Sequence, residues 1–174
     1  ELPVSEYASG MGGSQIFLEA YETQTVKNML KAISMRSAND ASVAMAEFMY
    51  GSEESCVNEM NKRAKELGCK NSNFVNTNGL PADNYYSFAR DVALISRELL
   101  SKHPDIIKYS TIWMDSLRGG EFQLANTNKL VVTYKGITGL KTGFTSEAMH
   151  CLSASATRDN LNLIAVVLGA PDSQ

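Results

Sequence analysis

Gly139-Leu140-Lys141-Thr142-Gly143-Phe144-Thr145-Ser146 is the stretch on which the reading of this chain turns. An apolar approach, Ile137 and Leu140, runs into Lys-Thr-Gly and then into small hydroxyl residues. Lys141 and Thr142 set a cation and a hydroxyl donor side by side at one end of the segment. Gly143 then withdraws its side chain, so that another backbone can approach closely. That composition suits a strand edge that holds an extended, anionic ligand.

Downstream, residues 151–157 alternate, with Leu152, Ala154 and Ala156 on one face and Ser153, Ser155 and Thr157 on the other. Arg158-Asp159-Asn160 reads as a turn. Residues 161–168 are apolar on both faces after Asn162, the pattern of a buried strand. Together they predict an antiparallel hairpin, with the Lys141 segment as a third strand. Just upstream, residues 112–114, 121–125 and 130–134 are short and β-leaning.

Further upstream the period changes to that of helices. Thr25 is a candidate N-cap for a helix with Val26, Met29, Leu30 and Ile33 on one face, ending near Ser34-Met35. After Ser37-Ala38-Asn39-Asp40 a second helix carries Ala41, Ala44, Met45 and Phe48 to Gly51, and its small residues predict a central position. Ser52 caps a third, with Val57, Met60, Ala64 and Leu67 inward and Gly68 as the stop. Ser87 is the expected cap of a fourth, with Phe88, Val92, Ile95 and Leu99 inward, ending at His103-Pro104. Residues 1–13 read as loop, and Gln15-Ile16-Phe17-Leu18 as a small strand. Helices first and strands last argue an α+β fold, with a helical lobe over about 25–110 packed against an antiparallel sheet over about 111–170. An apolar strand so close to the last residue leads to the expectation that this is the central part of one domain, incomplete at both ends.

The totals narrow the function. The 174 residues are enough for one core, and the net charge of −3 without a block of like charges argues against nucleic acid as a partner. No apolar run reaches the ~18 residues of a membrane span. Residues 1–6 do not resemble a signal peptide, so an export signal would have to lie outside this sequence. Cys56, Cys69 and Cys151 form no framework of spaced pairs and read as free thiols; neither they nor His103 and His150 have metal-ligand spacing, so no metal is expected.

Two triplets carry chemistry: Ser37-Ala38-Asn39 between two helices, and Lys141-Thr142-Gly143. Singly, the first reads equally as a helix cap and the second as a solvent-facing strand end. Their order is that of the penicillin-recognising serine enzymes, in which a Ser-x-x-Lys precedes a Ser-x-Asn element and then Lys-Thr-Gly. The wider chain resembles the D-alanyl-D-alanine carboxypeptidases, low-molecular-mass penicillin-binding proteins of peptidoglycan maturation. The resemblance runs through Gly13-Ser14-Gln15-Ile16-Phe17-Leu18, residues 37–46, residues 61–68, Asn78-Gly79-Leu80 and residues 86–91. It continues through Asn126-Thr127-Asn128-Lys129-Leu130, residues 139–145 and Ser153-Ala154-Ser155-Ala156-Thr157, and this co-linearity is far more specific than either triplet.

The resemblance implies a β-lactamase/transpeptidase-like fold and acyl transfer without a cofactor. A serine attacks the bond between two D-alanines of a peptidoglycan stem peptide, and water clears the acyl-enzyme. Lys141 and Thr142 would hold the substrate carboxylate, and Gly143 would let the substrate lie along the strand. The Phe144 N–H would take the oxyanion-hole position. Ser37 would relay a proton toward the leaving amine, and Asn39 would hold the substrate amide and the catalytic lysine. β-Lactam antibiotics become expected partners, and a bacterial, extracytoplasmic, cell-envelope location follows, with membrane anchoring only through segments outside these residues.

Two departures stand out. Ala38 replaces the family's usual glycine, and no Ser-x-x-Lys exists here: the residue three before Lys141 is Thr138. In the family that motif lies upstream of the segment resembling residues 13–18, so it is expected before Glu1, and this chain alone is expected to be inactive. The alternatives are a serine β-lactamase-related hydrolase, for which no dedicated deacylating carboxylate is visible, and a non-catalytic fragment or pseudo-enzyme that at most binds.

Overall fold

Short polar residues open three of the helices, and a glycine closes the helix over Asn39–Tyr50. The structure, a computed structural model, describes residues 1–172. The Thr25 hydroxyl accepts the Asn28 N–H at 3.1 Å and opens α2 (Val26–Lys31), which follows the short α1 (Glu6–Ser9). Beyond the expected end, α2 continues as a π-helical turn, Ala32–Arg36, up to Ser37. α3 (Asn39–Tyr50) starts at once and ends at Gly51, whose φ of 81° a side chain would strain. Ser52 accepts the Ser55 N–H and opens α4 (Glu53–Glu66), with Glu53 and Glu54 in the first turn where the helix dipole favours acids. As expected, α3 is central: Ala41, Val43 and Ala44 are fully buried in one core with Leu2, Ile16, Met29, Met35 and Leu124.

Several local expectations are corrected. Residues 1–13 are not all loop: β1 (Leu2–Pro3) pairs antiparallel with β2 (Thr23–Gln24), and Ser5 caps α1. Residues 15–18 form no strand, because the Ile16 and Leu18 N–H groups both donate to the carboxylate of Asp40, buried in the first turn of α3, at 3.1 Å. α5 (Ala89–Lys102) is entered from Phe88, which has no capping side chain and is 54% exposed rather than inward. Ser87 instead shares a hydrogen bond with the Ser72 hydroxyl at 2.8 Å. After α6 (Ile107–Ser110), β3 (Met114–Leu117) pairs antiparallel with β4 (Phe122–Ala125), so Ile112 and Trp113 precede the strand. Residues 130–134 are β-leaning in composition, yet Leu130–Thr133 forms a helical turn, α7. The Asn128 side-chain carbonyl accepts the Leu130 N–H at 3.1 Å, and this local bond overrides the β preference.

The main sheet is antiparallel in the order β5 (Ile137–Thr145), β6 (Met149–Arg158), β7 (Leu161–Ala170). β6 and β7 meet in a two-residue turn with both central residues left-handed, Asp159 at φ 49° and Asn160 at φ 63°. In register, Lys141 stands beside Ser153, and Ser153 beside Val166, on the face that carries the Ser153 contact to Ser96 of α5 at 2.8 Å. Leu152 with Val167, and Ala156 with Leu163, lie on the opposite face. β7 is therefore not buried on both faces: Leu161, Leu163 and Val167 are 59%, 61% and 49% exposed. β5 lies at the sheet edge, which leaves one side of the Lys-Thr-Gly strand without a strand partner among the described residues.

Candidate active site

The first wall of the site is the turn between α2 and α3. The π-helical turn delivers Ser37 in the left-handed region, at φ 60° and ψ 40°. A non-glycine residue there carries strain, and inserted π turns recur at functional sites. Among the described residues the Ser37 hydroxyl has no hydrogen-bond partner, and the residue is half-buried. Asn39 is tied to the loop of residues 12–14: its Nδ2 donates to the Gly12 carbonyl at 2.7 Å, and its backbone N–H donates to the Ser14 carbonyl at 2.7 Å. A Cβ on Gly13 would lie 2.6 Å from that Nδ2, so the loop can pass this close only as glycine.

The second wall is the free edge of β5. Lys141 is partly buried, and burial pushes its ammonium down to about 8; its Nζ donates to the Thr142 carbonyl at 2.6 Å. The Thr142 hydroxyl is 2.5 Å from the Thr127 hydroxyl. Gly143 is exposed opposite Cys151. Phe144 is 64% exposed, with its ring 4.6 Å from that of its cross-strand neighbour His150.

Thr127, in the turn after β4, ties the walls together. Its N–H donates to the carbonyl of Met35 at 3.0 Å, two residues before Ser37, while its hydroxyl meets Thr142. Asn126 holds this turn in place: its Nδ2 donates to the Ser110 and Ile112 carbonyls at 3.1 and 2.8 Å. Ser110 in turn donates to the Thr138 carbonyl of β5 at 2.9 Å. A Cβ on Gly139 would stand 2.6 Å from the Ser110 hydroxyl oxygen, so glycine is needed where α6 and β5 touch. Asn128 Nδ2, one residue further on, is buried without a hydrogen-bond partner among the described residues.

The Ser37 turn and the Lys-Thr-Gly strand are thus each one hydrogen bond from Thr127. In the sequence Asn126 and Thr127 are only markers of chain order, and Asp40 reads only as part of a turn or cap before the second helix. The Asn-Thr-Asn triplet after a strand was the available signal. The arrangement sets a lysine and a pair of hydrogen-bonded hydroxyls on an open strand edge, where one O–H is left for an anion.

A sequence profile of the peptidase S11 family, D-alanyl-D-alanine carboxypeptidase, matches residues 1–172. The chain belongs to the D-alanyl-D-alanine carboxypeptidase family. It is 54% identical over 169 residues to the D-alanyl-D-alanine carboxypeptidase DacF of Bacillus subtilis, covering 95% of this chain and 43% of that protein. With DacA of Escherichia coli it shares 37% identity over 161 residues, 91% of this chain and 39% of that one. The chain thus spans less than half the length of these curated relatives.

The family fold is met in solved structures as well. Penicillin-binding protein 5 of Haemophilus influenzae superposes with a TM-score of 0.91 at 33% identity, over 98% of this chain and 51% of that one. Penicillin-binding protein D2 of Listeria monocytogenes, in its ampicillin-bound form, superposes with a TM-score of 0.86 at 30% identity, over 98% and 69%. The fold of this carboxypeptidase-family chain is therefore the mixed, transpeptidase-like one expected, with a helical lobe against antiparallel sheets.

Proposed function

We propose that residues 1–174 form the central part of a D-Ala-D-Ala carboxypeptidase domain. In this reading the enzyme removes the terminal D-alanine of peptidoglycan stem peptides through an acyl-enzyme and is itself acylated by penicillins. The observation that carries it is a partly buried lysine of lowered pKa next to Thr142, on an open strand edge that Thr127 holds beside the Ser37 turn. A lysine at about 8 is still mainly an ammonium at neutral pH, and a carboxylate would find it poorly hydrated and so more strongly attractive. Thr142 gives the carboxylate a hydroxyl, Gly143 lets the peptide lie along β5, and the Phe144 N–H faces the developing oxyanion. Ser37, unpartnered among the described residues and held in one backbone conformation, passes a proton to the leaving amine, while Asn39, its Nδ2 taken by the Gly12 carbonyl, turns its Oδ1 to the substrate amide and the catalytic lysine. The nucleophilic serine and its lysine belong to a Ser-x-x-Lys segment absent from the 174 residues and placed in the family before Glu1. The whole protein then works outside the cytoplasm, at the bacterial cell envelope.

Intact mass with and without excess benzylpenicillin tests this directly. The 174-residue chain gains no mass, whereas the same chain joined to its Ser-x-x-Lys segment gains one penicilloyl group and releases D-alanine from a D-Ala-D-Ala peptide. A covalent adduct on the 174-residue chain would overturn the upstream serine. Absence of both activities from the longer protein would overturn the carboxypeptidase reading.

A further inference from the structure

Thr127 makes two hydrogen bonds with different purposes. Its backbone N–H on the Met35 carbonyl, together with the buried Asn126 side chain, fixes where the residue stands. Its hydroxyl is then free to act, and it is exposed rather than packed in the core. The hydroxyl oxygen lies 2.5 Å from that of Thr142, short even for an O–H···O bond. Two hydroxyls paired in this way use one proton between them and keep one. If Thr127 donates, the Thr142 proton is left for a ligand; if Thr142 donates, the Thr127 proton is left. In either arrangement a single O–H is left for a ligand at the Thr142 position of β5, one residue along from Lys141.

We propose that Thr127 is a positioning residue for the substrate carboxylate: by pairing with Thr142 it sets the direction of the hydroxyl that this carboxylate accepts. The inference rests on the carboxypeptidase reading above and extends its anion site from Lys-Thr-Gly to a residue on another turn. Preorganisation is the gain. A lone Thr142 hydroxyl rotates and must be oriented by the ligand, whereas a paired one is already restricted before binding.

The test uses the protein that carries this chain with its Ser-x-x-Lys segment, and a peptide ending in D-Ala-D-Ala as the free acid and as the C-terminal amide. Thr127→Val keeps the shape and the backbone bonds and removes the hydroxyl; Thr127→Ser keeps the hydroxyl. Thr127→Val is expected to lower kcat/KM on the free acid about 10-fold, the effect of weakening the charge-assisted hydrogen bond to the carboxylate once the direction of the Thr142 hydroxyl is no longer set, and to leave the amide nearly unchanged. Thr127→Ser is expected to restore most of the loss. Affinity for the two peptides, titrated by NMR, reports the same preference without turnover. Equal losses on acid and amide, an unchanged Thr127→Val, or a Thr127→Ser as impaired as Thr127→Val would each overturn the proposal. Lys141→Ala is the reference. If it too keeps wild-type preference for the acid, the carboxylate site itself is wrong; if it loses that preference and Thr127→Val does not, only the role of Thr127 falls.

Discussion

Replacing Lys141 by Met should make the protein more stable at neutral pH and less stable relative to wild type as the pH rises. Burial takes the lysine from 10.5 to about 8, so holding the proton in the folded state costs about 3 kcal/mol. The hydrogen bond from Nζ to the Thr142 carbonyl returns about 1 kcal/mol. Methionine has similar length, no charge and enough flexibility to fill the same space. The expected gain at pH 7 is therefore about 2 kcal/mol, a rise in Tm of about 4–8 °C for a chain of this size. The sign with pH follows from proton counting. Below about 8 the lysine is charged in both states, and the folded protein bears the full cost. Between about 8 and 10.5 the folded lysine releases its proton while the unfolded one keeps it, so wild-type stability rises. Above 10.5 both are neutral, and the advantage of Lys141→Met disappears. Urea unfolding of both proteins from pH 7 to pH 10.5 reads the difference directly, and other titrating groups cancel between them. A difference that stays constant over this range, or a Lys141→Met that is less stable at pH 7, would refute the burial argument.

Three further outcomes follow from other contacts. Ser37→Gly removes the left-handed strain and the hydroxyl together, so Tm should hold or rise while peptide turnover falls about 10²-fold; unchanged turnover would reduce Ser37 to a turn residue. Asp40→Ala leaves the buried Ile16 and Leu18 N–H groups without an acceptor and should cost about 3 kcal/mol, read by urea unfolding; a loss below about 1 kcal/mol would mean that water replaces the carboxylate. The hydrogen bond from Lys31, at 2.5 Å, and the Ser116 N–H hold the Asp115 carboxyl below its ordinary value. Its contribution is complete above the unfolded value of 3.8 and is lost as the pH falls through the lower folded one, so Asp115→Asn should narrow its gap to wild type in acid unfolding below pH 4.

The helices were legible because their signals are local. Thr25 and Ser52 cap through their own side chains, and Gly51 and Gly68 take the left-handed φ at which helices stop. The hairpin of β6 and β7 was equally local, set by alternation and by Asp159-Asn160. Failures came where a distant residue claims the backbone. Residues 15–18 look like a strand until Asp40, 24 positions from Ile16, takes their N–H groups. Leu130–Thr133 keeps a β-leaning composition in a helical turn because Asn128 starts it. The apolar run in β7 promised burial on both faces, but composition alone does not say what each face meets.

The site divides in the same way. Lys141, Thr142 and Gly143 could be read together because one strand carries them, and Ser37 and Asn39 because one turn does. That the triplets belong near each other came only from their order along the chain. What brings them together physically is Thr127, which bonds Met35 through its backbone and Thr142 through its side chain. Neither bond has a sequence signature, since one depends on how the π-helical turn, and the other on how β5, is set against the turn after β4. Lys141 shows the converse: its residue type was legible and its burial was not. The proposed function asks for an ammonium facing a carboxylate with little water between them, and the fold bears the cost of that burial at every pH where the lysine stays charged. A more exposed Lys141 would make the empty protein more stable and, in the proposed function, would weaken the hold on a substrate carboxylate, because water would screen the charge.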